Sequence, residues 1–247
     1  MLTFEPISRI AVVKCLGPRL VLFFKTFALF YVLYPKYEST VGYCVFKCAP
    51  ILSLVAFVYM YGVKIPNNQA YSLKIFLGLL FSCLGDAFLV WPSLLIPGMA
   101  MFAITHILYI YAFGFQRLKL SILFILLPIL LCVCVSVKEG LDGINTLVIP
   151  AYGLILVIMV WRALAQLTKH EYSIPWTCIA SAVGGLLFGV SDTILGICLF
   201  SSDISSFKCN LILPTYYAGQ LLISVSVVDS HLTSIKTSPY HEDKKQL

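Results

Sequence analysis

Long apolar runs separated by short polar segments make up most of this chain. A membrane-spanning helix needs about 20 predominantly apolar residues, and eight runs approach that length. Their bounds are about 19–35, 41–63, 72–91, 95–115, 118–136, 146–164, 176–200 and 211–229. Transmembrane β-strands would show short alternating segments instead. The pattern therefore predicts an all-α polytopic membrane protein with about eight transmembrane helices.

Composition supports this class and limits the number of domains. Of the 247 residues, 60% are hydrophobic and 11% are charged, whereas soluble domains carry about 25% charged residues. The first apolar run contains Lys25 and lacks a small-residue cleavage site, so we interpret it as a retained helix rather than a signal peptide. We expect one transmembrane domain over residues 1–247, with short cytosolic tails at 1–18 and 230–247.

The basic residues predict the orientation of the chain in the membrane. One side of the predicted bundle holds Arg9, Lys14, Arg19, Lys64, Lys74, Arg117, Lys119, Arg162, Lys169, Lys236, Lys244 and Lys245, and the other holds Lys36, Lys138 and Lys208. Because cytosolic loops are enriched in lysine and arginine, both termini are expected in the cytosol, which requires an even number of spans. This bias explains the net charge of +6, and we expect no nucleic-acid partner.

The nine cysteines form no metal-binding or redox motif. Most lie inside apolar runs, without a CxxC pair or a histidine-flanked zinc spacing, so we expect them to pack as small side chains. Whether Cys198 and Cys209 pair near one membrane face is left open. There is also no glycine-rich phosphate loop, and we expect no cofactor.

Five ionisable side chains fall inside the predicted spans, namely Lys25, Lys47, Asp86, His106 and Asp192. Lys25 and Lys47 lie near span ends, where a lysine can extend its ammonium group to the lipid headgroups. Asp86, His106 and Asp192 have no such exit. Ionisable residues at membrane depth are costly and mark functional sites, so these three are the first candidates.

The two aspartates end similar segments, GLLFSCLGD at 78–86 and GLLFGVSD at 185–192. In each segment small residues precede the aspartate on one helical face, and small residues let transmembrane helices approach closely. The segments belong to the third and seventh spans, which run in the same direction. This points to a parallel four-helix pseudo-repeat.

Several polar side chains lie at a common depth. Asp86 is about 18 Å from the cytosolic end of its span, and His106 and Gln220 are each about 16 Å from theirs. Asp192, sixteen residues after Trp176, is nominally deeper. We therefore expect these groups to meet in one buried polar cavity.

Tyrosines accompany these residues. Tyr109 lies one turn after His106, and Tyr217 lies in the last span. Tyr152 is expected to face inward on the sixth span, whereas Tyr216 also fits an interfacial aromatic belt.

The chemistry of the aspartate pair suggests acid–base catalysis. Two carboxylates in a medium of low dielectric constant cannot both ionise cheaply, so one should carry a proton and act as a general acid beside a general base. A metal site made by Asp86, Asp192 and His106 is an alternative, although one histidine gives no zinc pattern.

Three further alternatives remain open. Buried aspartate and histidine form proton relays in transporters. Paired aspartates also occur in aspartyl intramembrane proteases, although the residues before Asp86 and Asp192 differ from the motifs of that class and a Pro-Ala-Leu motif is missing. The aspartates could also simply tie helices together.

Six segments carry a resemblance to a known family. They are KCAP with Lys47, LGDAFL with Asp86, GMAMFAITHILY with His106 and Tyr109, YGLILVIMVWRA with Tyr152 and Arg162, GGLLFGVSD with Asp192, and TYYAGQLLISVS with Tyr216, Tyr217 and Gln220. They follow one another over about residues 14–230. In this ordered set the chain resembles the YhhN-type lysoplasmalogenase family, in particular its animal members.

The resemblance implies hydrolysis of the vinyl-ether bond of lysoplasmalogens to a fatty aldehyde and glycerophospho-ethanolamine or -choline. It implies Asp86 and Asp192 as the catalytic pair, with neither assigned as acid or base, and no metal. The implied substrate-binding residues are Lys47, His106, Tyr109, Tyr152, Tyr216, Tyr217 and Gln220. The expected partners are the lysophospholipid substrate and membrane lipids, with a homo-oligomer left open. The expected location is the endoplasmic reticulum membrane.

Overall fold

The fold, which we describe from a computed structural model, is a bundle of α-helices. The structure describes residues 9–63, 69–116, 118–169, 174–201 and 209–228. The helices in these ranges are α1 (Arg9–Leu33), α2 (Val41–Val58), α3 (Gln69–Phe88), α4 (Leu95–Phe113), α5 (Leu120–Val137), α6 (Asn145–Ala165), α7 (Trp176–Phe200) and α8 (Ile212–Val225). The same ranges contain no β-strand.

Six of these helices are long and apolar enough to cross a membrane. They are α3 to α7, together with α2, which a π-helical turn extends to Val63. The described part of α8 is apolar but has only 14 residues. The predicted fold class is confirmed, and the chain is an integral membrane protein. The cytosolic position of both termini stays a prediction.

α1 begins earlier than the span predicted at 19–35. It starts at Arg9 and contains Pro18, so residues 9–18 of the predicted tail are helical. The predicted boundary follows the charges Lys14 and Arg19, and a charge ends an apolar run without ending a helix. By contrast, the spans predicted at 41–63 and 176–200 agree with the observed helices residue for residue.

Helix neighbours repeat between the two halves of the bundle. Within each half, consecutive helices pack side by side, most extensively α3 on α4 and α7 on α8. Between the halves, α4 packs on α6 and α8 packs on α2. Moving four helices along the chain, and returning to α1 after α8, converts the pair α3–α4 into α7–α8 and the pair α4–α6 into α8–α2. This correspondence supports the parallel four-helix pseudo-repeat.

Glycines bring α7 into close contact with its neighbours. A Cβ atom added at Gly184 would lie 2.8 Å from the carbonyl oxygen of Gly219 in α8, and one added at Gly219 would lie 2.9 Å from the carbonyl oxygen of Gly184. A Cβ atom at Gly185 would lie 2.6 Å from Cβ of Ala163 in α6. The close helix approach predicted from the small residues is confirmed on α7.

Polar contacts join the helix ends on the side predicted to be cytosolic. Lys74 Nζ, at the start of α3, donates to the carbonyl oxygen of Tyr111 in α4 at 3.0 Å. Arg162, buried near the end of α6, donates through Nε to the carbonyl oxygen of Gly114 at 2.7 Å. Lys74 and Arg162 therefore share one end of the bundle, as the charge pattern predicts.

The opposite end is closed by two further connections. A disulfide joins Cys198 of α7 to Cys209 before α8, which answers the question of their pairing. Tyr37, between α1 and α2, donates its hydroxyl hydrogen to the carbonyl oxygen of Val90 after α3 at 2.6 Å.

Candidate active site

Asp86 lies near the end of α3, only 2% exposed, and is held by two other helices. Tyr216 of α8 donates its hydroxyl hydrogen to Asp86 Oδ2 at 2.5 Å. Lys47 Nζ of α2 lies 3.5 Å from Oδ1 and donates to the backbone carbonyl of Asp86 at 3.1 Å. This contact joins α2 to α3. Removing either partner would leave an uncompensated buried charge, which is strongly destabilising.

Lys47 does not reach the lipid headgroups, so the interpretation from its place near a span end is wrong. Only 7% of the residue is exposed, and the side chain turns into the bundle towards Asp86. The carboxylate on the neighbouring helix supplies an opposite charge, which spacing along α2 cannot reveal. Lys25 is exposed, and its extension to the lipid headgroups stays a prediction. A contact of Lys47 with the substrate phosphate stays a prediction.

A chain of hydrogen bonds continues from Asp86 along α3. The Tyr216 hydroxyl also bonds to Ser82 Oγ at 2.6 Å, and Ser82 Oγ accepts a hydrogen bond from Gln220 Nε2 at 2.7 Å. Gln220 Oε1 accepts the hydroxyl hydrogen of Tyr109 at 2.7 Å. These buried polar groups satisfy one another, and such a connected network fixes a unique packing of its helices. We call Lys47, Ser82, Asp86, Tyr109, Tyr216 and Gln220 the Asp86 group.

Tyr217 contributes to the same region through the backbone of α2. Its hydroxyl donates to the carbonyl oxygen of Lys47 at 2.7 Å, and its ring packs edge-on against Phe27 of α1. The predicted contact of Tyr217 with substrate stays a prediction, and its observed contacts support the position of Lys47.

Asp192 of α7 forms a second polar group with α4 and α6. Its Oδ2 accepts the hydroxyl hydrogen of Tyr152 and lies 3.0 Å from His106 Nε2, which is itself 3.0 Å from the Tyr152 hydroxyl. Within the described residues, Asp192 Oδ1 accepts no hydrogen bond. We call His106, Tyr152 and Asp192 the Asp192 group.

His106 has one ring nitrogen without a partner. Nδ1 is buried and makes no hydrogen bond to the described part of the protein. Leaving such a group unsatisfied costs about 1–3 kcal/mol. The nitrogen is therefore free to bond to a water molecule or to a polar atom of a ligand.

Aromatic rings separate the two polar groups. The Phe188 ring lies 4.8 Å from the His106 ring on one side and 5.3 Å from the Tyr216 ring on the other, measured between centroids. Phe102 packs edge-on against both Phe188 and Tyr216. Phe102 and Phe188, which we call the aromatic wall, thus pack against members of both groups, and among the described residues no hydrogen bond joins the Asp86 group to the Asp192 group.

A cavity of about 110 Å³ lies between α4, α5, α6 and α7, beside the Asp192 group. Asp192 and Tyr152 form part of its wall, and most of the remaining lining is apolar, including Phe102, Leu156 and Phe200. Asp86 does not line it. An apolar cavity with a few convergent polar groups is typical of a small-molecule site, so Asp192 is the aspartate placed to meet a ligand.

Sequence reasoning found both aspartates and most of their partners, but it missed two kinds of residue. Ser82 was recognised as a small residue on the face of Asp86, and its position one turn before Asp86 was the available signal for its polar role. Phe102 and Phe188 gave no signal, because an aromatic residue in an apolar run is expected anywhere in a membrane helix.

Fold and site together define a class, a polytopic helical membrane protein with two buried carboxylates, one of which faces an apolar cavity. Residues 42–227 match the model of the YhhN family. The chain belongs to this family, so the resemblance inferred from the six segments is confirmed.

Named relatives cover most of the chain. Lysoplasmalogenase TMEM86A from Bos taurus is 38% identical over 228 residues, which is 91% of this chain and 94% of the relative. The protein of the same name from Homo sapiens is 33% identical with the same coverage. Lysoplasmalogenase TMEM86B from Homo sapiens is 37% identical over 184 residues, 74% of each chain. No solved structure matches the chain.

Proposed function

We propose that this protein is a lysoplasmalogenase, which hydrolyses the vinyl-ether bond of lysoplasmalogens. The products are a fatty aldehyde and glycerophospho-ethanolamine or -choline. The observation that carries the proposal is the position of Asp192, which Tyr152 and His106 hold in the wall of an apolar cavity. The names of relatives that cover most of the chain support it.

The reaction requires the kind of group that this site offers. Hydrolysis of a vinyl ether begins with transfer of a proton to the alkene carbon distal to the oxygen, which gives an oxocarbenium ion. Water then adds, and the resulting hemiacetal collapses to the aldehyde. A carboxylic acid can donate the first proton and a carboxylate can stabilise the cation, as in the hydrolysis of glycosides.

We propose that Asp86 and Asp192 are the catalytic pair. Asp192 can meet the substrate in the cavity, whereas Asp86 acts across the aromatic wall, where a low dielectric constant extends the reach of its charge. Tyr152 and His106 orient Asp192. Lys47, Tyr216 and Gln220 hold the Asp86 group in place.

We further propose that the protein resides in the endoplasmic reticulum membrane. The six helices that are long and apolar enough to cross a membrane support a location in a membrane, and the family resemblance of the six segments implies this particular membrane. Fractionation of cells that express the full chain tests the location.

The outer surface of α5 supports membrane lipids as partners. Phe124, Ile125 and Leu131 are 72%, 65% and 65% exposed, which suits contact with lipid chains. A homo-oligomer stays open, and cross-linking in native membranes tests it.

The activity is tested with purified protein and three matched lysolipids, which differ only in carrying a vinyl-ether, a saturated-ether or an ester linkage. We expect release of fatty aldehyde from the vinyl ether and no turnover of the other two. Equal hydrolysis of the ester would instead identify a lysophospholipase, and a complete lack of aldehyde would contradict the proposal.

A further inference from the structure

The cavity beside the Asp192 group is elongated along α7. Asp192 and Phe200 both line it, and eight residues of α-helix separate them, which corresponds to about 12 Å. Asp192 is the first α7 residue of the lining, and the residues that follow towards Phe200 include Leu195 and Leu199. On α7, the polar groups of the wall are therefore concentrated at the Asp192 end of the cavity, and the length towards Phe200 is apolar.

This arrangement does not suit a phosphate headgroup, because the wall offers a charged group no cation. It suits a hydrocarbon chain that begins at Asp192. We propose that the cavity binds the alkenyl chain of the substrate, with the vinyl-ether carbons beside Asp192 and the headgroup outside the cavity. This inference rests on the proposed function and names the part of the substrate that the cavity takes.

The position of the chain also assigns the proton donor. The alkene carbon that must be protonated belongs to the chain, so it lies on the cavity side of the ether oxygen and next to Asp192. The O–H bond of Asp192 breaks and a C–H bond forms at this carbon, while the ether oxygen shares an electron pair with the adjacent carbon. Water adds to that carbon and returns a proton to Asp192, which gives the hemiacetal. Asp192 then passes this proton to the glycerol oxygen as the carbon–oxygen bond breaks, and it takes the proton of the hemiacetal hydroxyl group, which becomes the aldehyde carbonyl.

The cavity contributes more to the position of the reacting alkene carbon than to the affinity for the substrate. Lipid tails are as apolar as the cavity wall, so moving a chain from bilayer to cavity gains little hydrophobic free energy. Its contribution is to hold the alkene carbon at the donor, and a misplacement of about 1 Å can cost on the order of 10²-fold in rate.

Gly196 provides a way to fill the cavity without disturbing the helix packing. It lines the cavity about one turn beyond Asp192, and a Cβ atom added there would meet no heavy atom within 4 Å. Gly17 of α1 is a matched control, because a Cβ atom added there also meets nothing within 4 Å and the residue is outside the cavity. The variants are Gly196→Leu and Gly17→Leu.

A second pair of variants fills the same cavity from α5. Cys134 lines the cavity, whereas Cys132, two residues earlier, is exposed and does not line it. Cys134→Phe and Cys132→Phe therefore compare an inward and an outward substitution on one helix. Two independent pairs guard against a single variant that fails to fold.

The first experiment measures kcat/KM for aldehyde release from hexadecenyl and hexenyl lysoplasmalogens. We expect Gly196→Leu and Cys134→Phe to lower the ratio of the long-chain to the short-chain value by about tenfold or more, because only the long chain passes residue 196. Gly17→Leu and Cys132→Phe should leave this ratio unchanged. An unchanged ratio in both cavity variants would overturn the inference.

The second experiment does not depend on hydrolysis. A saturated-ether hexadecyl lysolipid that carries a diazirine in the first half of its chain, within the length of the cavity, is photolysed with each protein, and the labelled peptides are identified. We expect labels in the cavity walls of α5 and α7, lost in Gly196→Leu and kept in Gly17→Leu. Labels confined to the outward face of α5, around Phe124 and Leu131, would overturn the cavity site. If the native protein released no aldehyde, the proposed function would be wrong. The labelling experiment would still show whether the cavity binds a lipid chain.

Discussion

At the residue scale, the two aspartates have different neighbours, which is the basis for the different roles that we propose for them. Asp86 contacts a lysine and a tyrosine and lies behind the aromatic wall. Asp192 contacts a tyrosine and a histidine and faces the cavity. Ionisable residues at membrane depth are few, so the sequence alone was enough to select both. Their partners come from distant helices, as with Tyr216 and Asp86, and spacing along one helix cannot predict such pairs.

Asp192→Asn removes the group that we propose as the donor of the first proton. We expect kcat/KM for aldehyde release to fall about 10²–10⁴-fold, the contribution of a general acid. Asp142→Asn is the control, since Asp142 is exposed in the segment between α5 and α6. Wild-type rates in Asp192→Asn, measured on protein of normal thermal stability, would remove Asp192 from the mechanism.

Lys47→Met leaves Asp86 buried without its ion-pair partner. We expect the free energy of unfolding in detergent to fall by about 3–5 kcal/mol. The double variant Lys47→Met/Asp86→Leu should lose less, because no uncompensated charge remains. Denaturation measures the free energy of unfolding of both proteins. If the loss in the double variant equalled the sum of the losses from its two substitutions, the two side chains would not interact.

At the element scale, the helices themselves follow from apolar length, and most predicted bounds lie close to the observed ones. The start of α1 was missed because helix geometry continues past the charges at the membrane surface. The pairing of helices depends on which helix faces carry small residues. Small-residue spacing predicted a close approach on the face that carries the aspartate, but the partner of each face required the folded structure.

The contact between α7 and α8 should be sensitive to a single methyl group. Gly219→Ala places Cβ against the carbonyl oxygen of Gly184, and overpacking of this kind costs about 1–3 kcal/mol. We expect a lower midpoint of thermal unfolding, whereas Gly17→Ala, which adds a methyl group in open space, should not lower it. Equal midpoints for the two variants would mean that the helices separate easily.

At the scale of the whole molecule, the distribution of charge predicts how the bundle is oriented in the membrane. Twelve basic residues are assigned to one side and three to the other, and Lys74 and Arg162 do share one end. Orientation is a property of the chain in a bilayer, so helix packing alone does not determine it. The aromatic wall and the cavity are likewise products of the assembled bundle, which is why a common depth predicted one site where the structure has two groups.

Both termini should lie in the cytosol, and the segment 138–144 between α5 and α6 should lie on the opposite side. The chain contains no natural Asn-x-Ser/Thr acceptor, so an acceptor inserted in that segment should be the one that is glycosylated. An acceptor added at either terminus should remain unmodified. Glycosylation at the termini would reverse the orientation.

The most direct test of the account is to follow the proton. Hydrolysis of a lysoplasmalogen by the native protein in D₂O should give an aldehyde with one deuterium on the carbon next to the carbonyl group, detected by mass spectrometry. The unlabelled aldehyde incubated in the same D₂O corrects for exchange with solvent. Aldehyde formed without deuterium at that carbon would show that the bond breaks without protonation of the alkene, and it would contradict catalysis by a carboxylic acid at Asp192.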